Sequence, residues 1–204
     1  MIPYEFSAER FSRWMAYVLR HNPERYGLQA DPHGYVDFEE FLRAAARRYP
    51  ALPAEQLRGL IASAGPTRFD VTEGRIRARY GHTFPAAPVG APADPPAQLY
   101  HGADAALAPR LLAEGLAPTD RTMLHLSDTV QDAVAVASKR AEQVAVIRID
   151  ARAAQAAGVP FYRESKVYLA PQIPAPFLSL EPLPATAGPA AGASGGAPDE
   201  PSAS

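Results

Sequence analysis

Apolar residues recur every three or four positions in three stretches near the start of the chain, which predicts three helices. In the first, Phe11, Trp14, Met15, Val18 and Leu19 share one face, behind Ser7 as N-cap and Glu9 in the first turn. The opposite face carries Arg13, Tyr17 and Arg20, with Arg10 and His21 beside them, so one side is core and the other basic. A turn, N-P-E-R-Y-G, follows. Asp37 and Glu40 form a capping box for a second helix that turns Phe38, Phe41, Leu42 and Ala45 inward. Pro53 opens a third, with Leu57, Leu60 and Ile61 inward and Gly65 as its stop. The period then changes to two in T-R-F-D-V-T and R-I-R-A-R-Y, joined by Glu73-Gly74, which predicts a hairpin. Its second strand places Arg75, Arg77 and Arg79 on one face. Three helices and a hairpin make a winged-helix pattern.

Beyond residue 98 the pattern is mixed. Strands are expected at 98–101, 123–126, 144–149, 159–162 and 166–170, with a last one within 174–180. Helices are expected at 103–114 and 128–140, the second with Val130, Val134 and Ala137 inward. The fold class is therefore α+β. Between the two patterns, 85–98 holds five prolines and no aromatic residue, the composition of a stiff extended linker. Residues 183–204 are small, polar and rich in Pro and Gly, the composition of a disordered tail. The expected organisation is 1–84, linker 85–98, 99–182, and tail 183–204.

Composition narrows the function. No run of 18 apolar residues is present, so no membrane helix is expected, and the first residues lack the basic-then-apolar order of a secretory signal. Zero cysteines exclude thiol catalysis and Cys-ligated metals. A cytoplasmic protein fits. The net charge of -2 argues against a purely electrostatic nucleic-acid binder; residues 1–83 carry 12 Arg against 10 Asp and Glu. All basic residues except Lys139 and Lys166 are arginines, in a chain that is also rich in Ala, Pro and Gly. The five histidines, His21, His33, His82, His101 and His125, show no metal-ligand spacing, so no metal is expected. Rossmann, P-loop and nucleophile-elbow motifs are absent.

Arginine and histidine remain as candidate chemistry. Arg20 and His21 end the basic helix face, where a helix C-terminus favours cations whatever their function. Arg68 precedes the hairpin, and Arg121 lies in the polar turn T-D-R-T. Converging guanidinium forks would bind phosphate oxygens bidentately.

Taken in order, L-R-H-N-P (19–23), D-P-H-G-Y-V (31–36), T-R-F-D-V (67–71), I-R-A-R-Y-G-H-T (76–83), L-Y-H-G (99–102), E-G-L-A-P-T-D-R (114–121), L-H-L-S (124–127), F-Y-R-E-S-K-V-Y-L-A (161–170) and Q-I-P-A-P-F-L (172–178) resemble the NAD-dependent RNA 2'-phosphotransferase (tRNA 2'-phosphotransferase) family. The resemblance implies a winged-helix N-terminal domain and an ADP-ribosyltransferase-like C-terminal domain, with the site between them. It places the essential Arg-His-Arg-Arg set on Arg20, His21, Arg68 and Arg121. It places NAD binding on His101, Gly102, His125, Ser127 and Val167, the last where many ADP-ribosyltransferases carry Glu. It implies removal of an internal RNA 2'-phosphate by transfer to NAD, through ADP-ribosylated 2'-phospho-RNA. The products would be 2'-OH RNA, nicotinamide and ADP-ribose 1'',2''-cyclic phosphate. Ser165-Lys166 stand where the family often has Asn-Gly, and Ala103 where it often has Thr.

Arg77 and Arg79 are candidates to grip the RNA backbone, with simple surface charge as the alternative. The expected partners are 2'-phosphorylated RNA and NAD, and the expected state is a monomer. Two other functions stay open: an ADP-ribosyltransferase acting on nucleic-acid end phosphates or protein, and a non-enzymatic winged-helix regulator of duplex DNA.

Overall fold

The computed structural model describes residues 7–183, so all of the tail expectation except residue 183 lies outside the described residues. Two hydrophobic cores form. The first belongs to helices α1 (Ala8–His21), α2 (Phe38–Arg48) and α3 (Ala54–Ser63) and to a three-stranded antiparallel sheet of β1 (Val36–Asp37), β2 (Phe69–Thr72) and β3 (Arg75–Ala78), ordered β1-β3-β2. Ser7 and Asp37 cap α1 and α2 through their side chains. Trp14 lies at the centre of this core, its ring 5.6–5.8 Å from those of Phe11, Tyr26, Phe41 and Tyr49. Glu73 and Gly74 both take positive φ, 45° and 75°, as a tight two-residue hairpin requires. Strand β1, too short to show a period, was not expected.

The second core lies beneath a six-stranded antiparallel sheet. Its strands are β4 (Gln98–Asp104), β5 (Leu124–Ser127), β6 (Val144–Asp150), β7 (Tyr162–Glu164), β8 (Val167–Ala170) and β9 (Leu178–Glu181), in the order β7-β8-β5-β4-β6-β9. Helices α4 (Ala108–Glu114), α5 (Val130–Ala137) and α6 (Ala151–Ala156) accompany it. With both sheets antiparallel and six helices described, the fold class is α+β.

Three expectations are corrected here. Residues 103 and 104 extend β4 instead of opening a helix, because pairing of Ala103 with Ala145 and Asp104 with Val144 outweighs local helix preference. The strand expected at 159–162 begins only at Tyr162; Pro160 has no N–H for a ladder, and the Phe161 carbonyl accepts instead from Ala93 N–H at 2.7 Å. In α5 the buried residues are Ala133 and Ala137 rather than Val130 and Val134. The reason is Gly102: a Cβ there would run into the Ala133 carbonyl, so the helix lies on bare strand backbone and only alanine fits beneath it.

The segment 85–97 forms no helix or strand, yet it is tied down. Ala87 N–H donates to the Pro32 carbonyl at 2.8 Å, Gln155 Nε2 donates to Asp94 Oδ1 at 2.9 Å, and Pro95 is buried.

A buried ion cluster joins the two units. Arg77, 2% exposed, donates from Nη2 to Oε1 of Glu164, 4% exposed, at 2.7 Å. Asp70 Oδ2 lies 3.6 Å from Arg77 Nε and accepts the Tyr35 hydroxyl at 2.8 Å. Arg79 donates to the Pro66 carbonyl at 2.6 Å and to Asp70 Oδ1 at 3.2 Å, and lies 3.6 Å from Glu164 Oε2. The expectation that Arg77 and Arg79 grip RNA is therefore corrected: their guanidinium groups are committed to internal carboxylates and carbonyls. Arg77→Leu should cost about 3–5 kcal/mol in urea unfolding, because it strands a buried carboxylate. Arg77→Leu with Glu164→Leu should recover much of that loss. A single variant as stable as the parent would contradict this account.

Candidate active site

Three arginines from separate elements meet between the units. Arg20 is the penultimate residue of α1, Arg68 ends the turn before β2, and Arg121 lies in the loop before β5. Arg20 and Arg121 approach over Gly81, whose φ is +90°, and Arg68 is close enough to Arg20 for their charges to repel. A Cβ at Gly81 would stand 2.8 Å from Arg121 Nη1 and 3.3 Å from Arg20 Cδ, so only glycine admits both arginines. Burial holds the Arg20 guanidinium below its usual pKa; neighbouring Arg68 and Arg121 push it the same way, while Tyr80 opposes. Arg20 Cζ lies 5.0 Å from the centre of the Tyr80 ring, a cation–π distance. Its Nε is buried and makes no hydrogen bond within the described residues. Arg68 donates to Ser12 Oγ at 2.8 Å and rests on the Phe69 ring. Among the described residues, neither Arg20 nor Arg68 pairs with a carboxylate; Arg121 has only the exposed Asp120, at 4.0 Å. Like charges gathered this way repel until an anion joins them.

The histidines around this cluster are held neutral. Arg121 Nη1 can only donate, so at 3.1 Å His125 Nδ1 accepts and its proton sits on Nε2. Burial first, then Arg121 and Arg20, lower the His125 pKa to about 3. The ring also meets Tyr80 edge-on, with centres 5.6 Å apart. His101 Nδ1–H donates to the His125 carbonyl at 3.2 Å, which leaves Nε2 as an acceptor. His21 Nδ1 lies 3.2 Å from Thr83 Oγ1, whose hydroxyl faces the Arg20 carbonyl at 3.4 Å. That chain directs His21 Nε2 away from the backbone. Burial, then Arg121 and Arg20, lower the His21 pKa as well.

The structure thus brings Arg20, His21, Arg68 and Arg121 into one electrostatic cluster. The residues expected around NAD fall on three adjacent strands: His101 and Gly102 on β4, His125 and Ser127 on β5, Val167 on β8, with Ser127 directly opposite both Tyr100 and Val167. Ser165, beside this strip, takes φ 60°, a left-handed conformation that asparagine tolerates better than serine. Arg77 and Arg79 line a small pocket together with Gly81 and His125, but their guanidinium groups are locked in the ion cluster.

Sequence reasoning left Tyr80, Gly81 and Thr83 without roles. All three lie in the quoted I-R-A-R-Y-G-H-T segment, and Thr83 N–H donates to the Arg20 carbonyl at 2.9 Å. Only the three-dimensional convergence on Gly81 distinguishes them from an ordinary strand exit.

A group of three arginines with Asp120 as its one nearby carboxylate among the described residues, flanked by neutral imidazoles, is suited to an anionic ligand. Comparison with known proteins gives the family. The model of the RNA 2'-phosphotransferase, Tpt1 / KptA family matches residues 7–172, and the chain belongs to that family. It is 38% identical to a probable RNA 2'-phosphotransferase of Streptomyces griseus over 84% of this chain and 95% of the relative. A protein of the same name from Thermococcus kodakarensis is 32% identical over 84% of this chain and 96% of its own length. The corresponding figures for that of Rhizobium leguminosarum are 35%, 82% and 91%.

The neutral histidines make stability pH-dependent. His82 is buried beside Gly34, and burial, followed by Arg77, lowers its pKa to about 4. An unfolded chain takes up these protons below about pH 6.5, whereas the folded protein refuses them until about pH 4 at His82 and about pH 3 at His125. Acid therefore favours unfolding. Stability should be full above pH 6.5 and fall towards pH 4, with a slope approaching about 1.4 kcal/mol per pH unit for each histidine. Urea melts from pH 7 to 4.5 would show this, and His125→Gln should flatten the slope. A flat profile in the parent protein would contradict it.

Proposed function

We propose that this protein removes an internal 2'-phosphate from RNA by transferring it to NAD, which is consumed. The observation that carries the reading is the packing of Arg20 and Arg121 over Gly81, with Arg68 close enough to lower the Arg20 pKa, a buried Arg20 Nε left as a donor, and no carboxylate on Arg20 or Arg68 among the described residues. Family membership and the curated relatives support the substrate. In this reading the first unit is a winged-helix module and the second an ADP-ribosyltransferase-like module. The strip on β4, β5 and β8 suits NAD: His101 Nε2 is a free acceptor, His125 Nε2–H a donor, and Ser127 adds a hydroxyl on the strand that carries His125.

NAD supplies an anomeric carbon that can accept the RNA phosphate as nicotinamide leaves. Arg20 and Arg68 hold the 2'-phosphate throughout, and His21 contacts it or a neighbouring ribose hydroxyl. A phosphate dianion needs no general base, which suits Val167 at the position where a glutamate would serve one. Glu164, three residues earlier, is no substitute, because Arg77 and Arg79 hold it as a buried carboxylate. In the second step the ribose 2''-hydroxyl attacks phosphorus, releasing 2'-OH RNA and ADP-ribose 1'',2''-cyclic phosphate. Extra negative charge then develops beside Arg121, which its contact with His125 and its packing over Gly81 preorganise.

The test is incubation of a 2'-phosphorylated oligonucleotide with NAD and mass analysis of both products. Phosphate loss without NAD, or ADP-ribosylation without later phosphate removal, would reject the reading. Within it, Arg121→Ala should still release nicotinamide but accumulate ADP-ribosylated 2'-phospho-RNA. Its second step should slow about 100- to 1,000-fold, the cost of one preorganised donor. Lys should rescue only partly, since it lacks the fork. Equal slowing of nicotinamide release and dephosphorylation, with no intermediate on a denaturing gel, would refute this role.

A further inference from the structure

The outer face of α1 continues the arginine cluster onto the surface. At about 100° per residue, Arg10, Arg13, Arg20 and His21 all lie within about 60° of Tyr17 around the helix. Tyr17 is 40% exposed and is the only aromatic residue among the exposed large hydrophobic side chains of the described residues. It is not an isolated surface tyrosine: its ring centre lies 6.1 Å from that of His21, one turn on. His21 is in turn close enough to Arg20 and Arg121 for both to lower its pKa. One turn before Tyr17, Arg13 is held only by an exposed i,i+4 pair with Glu9 at 3.3 Å, which a phosphate readily displaces. Arg10 is exposed as well.

Charge selects this route over the alternatives. On the other flank Asp120 lies 4.0 Å from Arg121 and 3.8 Å from Arg140, and no exposed aromatic ring stands beside them among the large hydrophobic side chains of the described residues. Arg77 and Arg79 are committed to Glu164 and Asp70. A strand leaving the arginine cluster thus meets an aromatic face at Tyr17 and then the cations of Arg13 and Arg10. Exposed aromatic rings interleaved with arginines are the elements of a single-strand stacking platform.

We infer that Tyr17 stacks on the nucleobase next to the 2'-phosphorylated nucleotide, with Arg13 taking the following backbone phosphate. The inference rests on the function proposed above and adds to it a single-stranded, sequence-tolerant substrate that extends to one side of the reacting phosphate. Such a surface recognises any base, since every base has a π face.

The experiment titrates the full chain with fluorescently labelled ligands bearing one 2'-phosphate: a nucleoside 2'-phosphate, and oligonucleotides extended from it only 5' or only 3', with unphosphorylated controls. One of the two extensions should tighten binding to the parent protein. Tyr17→Ala should weaken that extended RNA about 5- to 150-fold, the range for loss of one stacked base, with the loss confined to that extension. Tyr17→Trp should restore it and Tyr17→Leu should not. Arg13→Gln should lower the salt slope for the same RNA by about one. Tyr17 is exposed, so a melting curve matching the parent's verifies that each variant is folded. Tyr17→Ala binding every RNA like the parent would overturn the inference, as would equal weakening of the nucleoside 2'-phosphate, which would place Tyr17 at the phosphate itself. A parent protein that neither prefers 2'-phosphorylated RNA nor transfers its phosphate would instead reject the proposed function, and the inference with it.

Discussion

The site depends on a fixed relation between two units that each have their own core, and the buried Arg77–Glu164 bridge supplies it. Arg20, His21 and Arg68 belong to the first unit; Arg121, His125 and His101 belong to the second. Apolar contact alone would let such units slide, because hydrophobic burial has no direction. A guanidinium 2.7 Å from a carboxylate, both almost fully buried, admits one geometry. Its net contribution to stability is small beside that specificity, since desolvation offsets most of the Coulomb attraction. Tyr35 closes the arrangement: Arg75 and Arg77 lie 4.9 and 5.2 Å from its ring centre, and its hydroxyl donates to Asp70.

With the units held, the electrostatics of the cleft follow. Two kinds of basic residue lie side by side with opposite outcomes. Burial lowers the pKa of Arg20 and Arg121, with Arg68 and Arg121 adding to the effect at Arg20 and Arg140 at Arg121, yet guanidinium pKa starts so high that they stay charged. The same forces drive the imidazoles neutral, His125 to about 3. The arginines thus form fixed positive charge, while His125 offers one acceptor to Arg121 and one donor to the cleft. Tyr80 connects the halves, with Arg20 over its ring and the His125 ring against its edge.

Local chemistry was readable where local forces decide. Ser7, Asp37, Glu73 and Gly74 act within a few residues of themselves, and caps and hairpin turn fell where their side chains and φ preferences put them. Failures cluster where distant partners decide. Ala103 looks helical until Ala145 pairs with it, and the inward side of α5 is set by the missing side chain of Gly102. Arg77 gives the sharpest case. Alternation along β3 correctly placed it on a face with Arg75 and Arg79, but pattern cannot reveal a carboxylate 87 residues away. The Arg-His-Arg-Arg set was reached through resemblance to a family, not through spacing. Nothing in the spacing of positions 20, 68 and 121 announces that Arg20 and Arg121 pack over Gly81 with the charge of Arg68 near Arg20.

The fate of Glu164 connects fold and chemistry. A glutamate three residues from the strip on β4, β5 and β8 would ordinarily be the first candidate for a general base. Here it faces Arg77 and Arg79, 2.7 and 3.6 Å from their nitrogens, so its lone pairs are already engaged. Within the strip itself the corresponding position is Val167, opposite Ser127. The fold has used this carboxylate to join the units, and among the described residues only the exposed Asp120, 4.0 Å from Arg121, is left to compete for the three arginines. An acceptor that arrives ionised, as a phosphate does, loses nothing by this. A neutral hydroxyl acceptor would lack both a base to deprotonate it and the negative charge that the three arginines require. The same absence that weakens general-base catalysis therefore acts as selectivity for a phosphate.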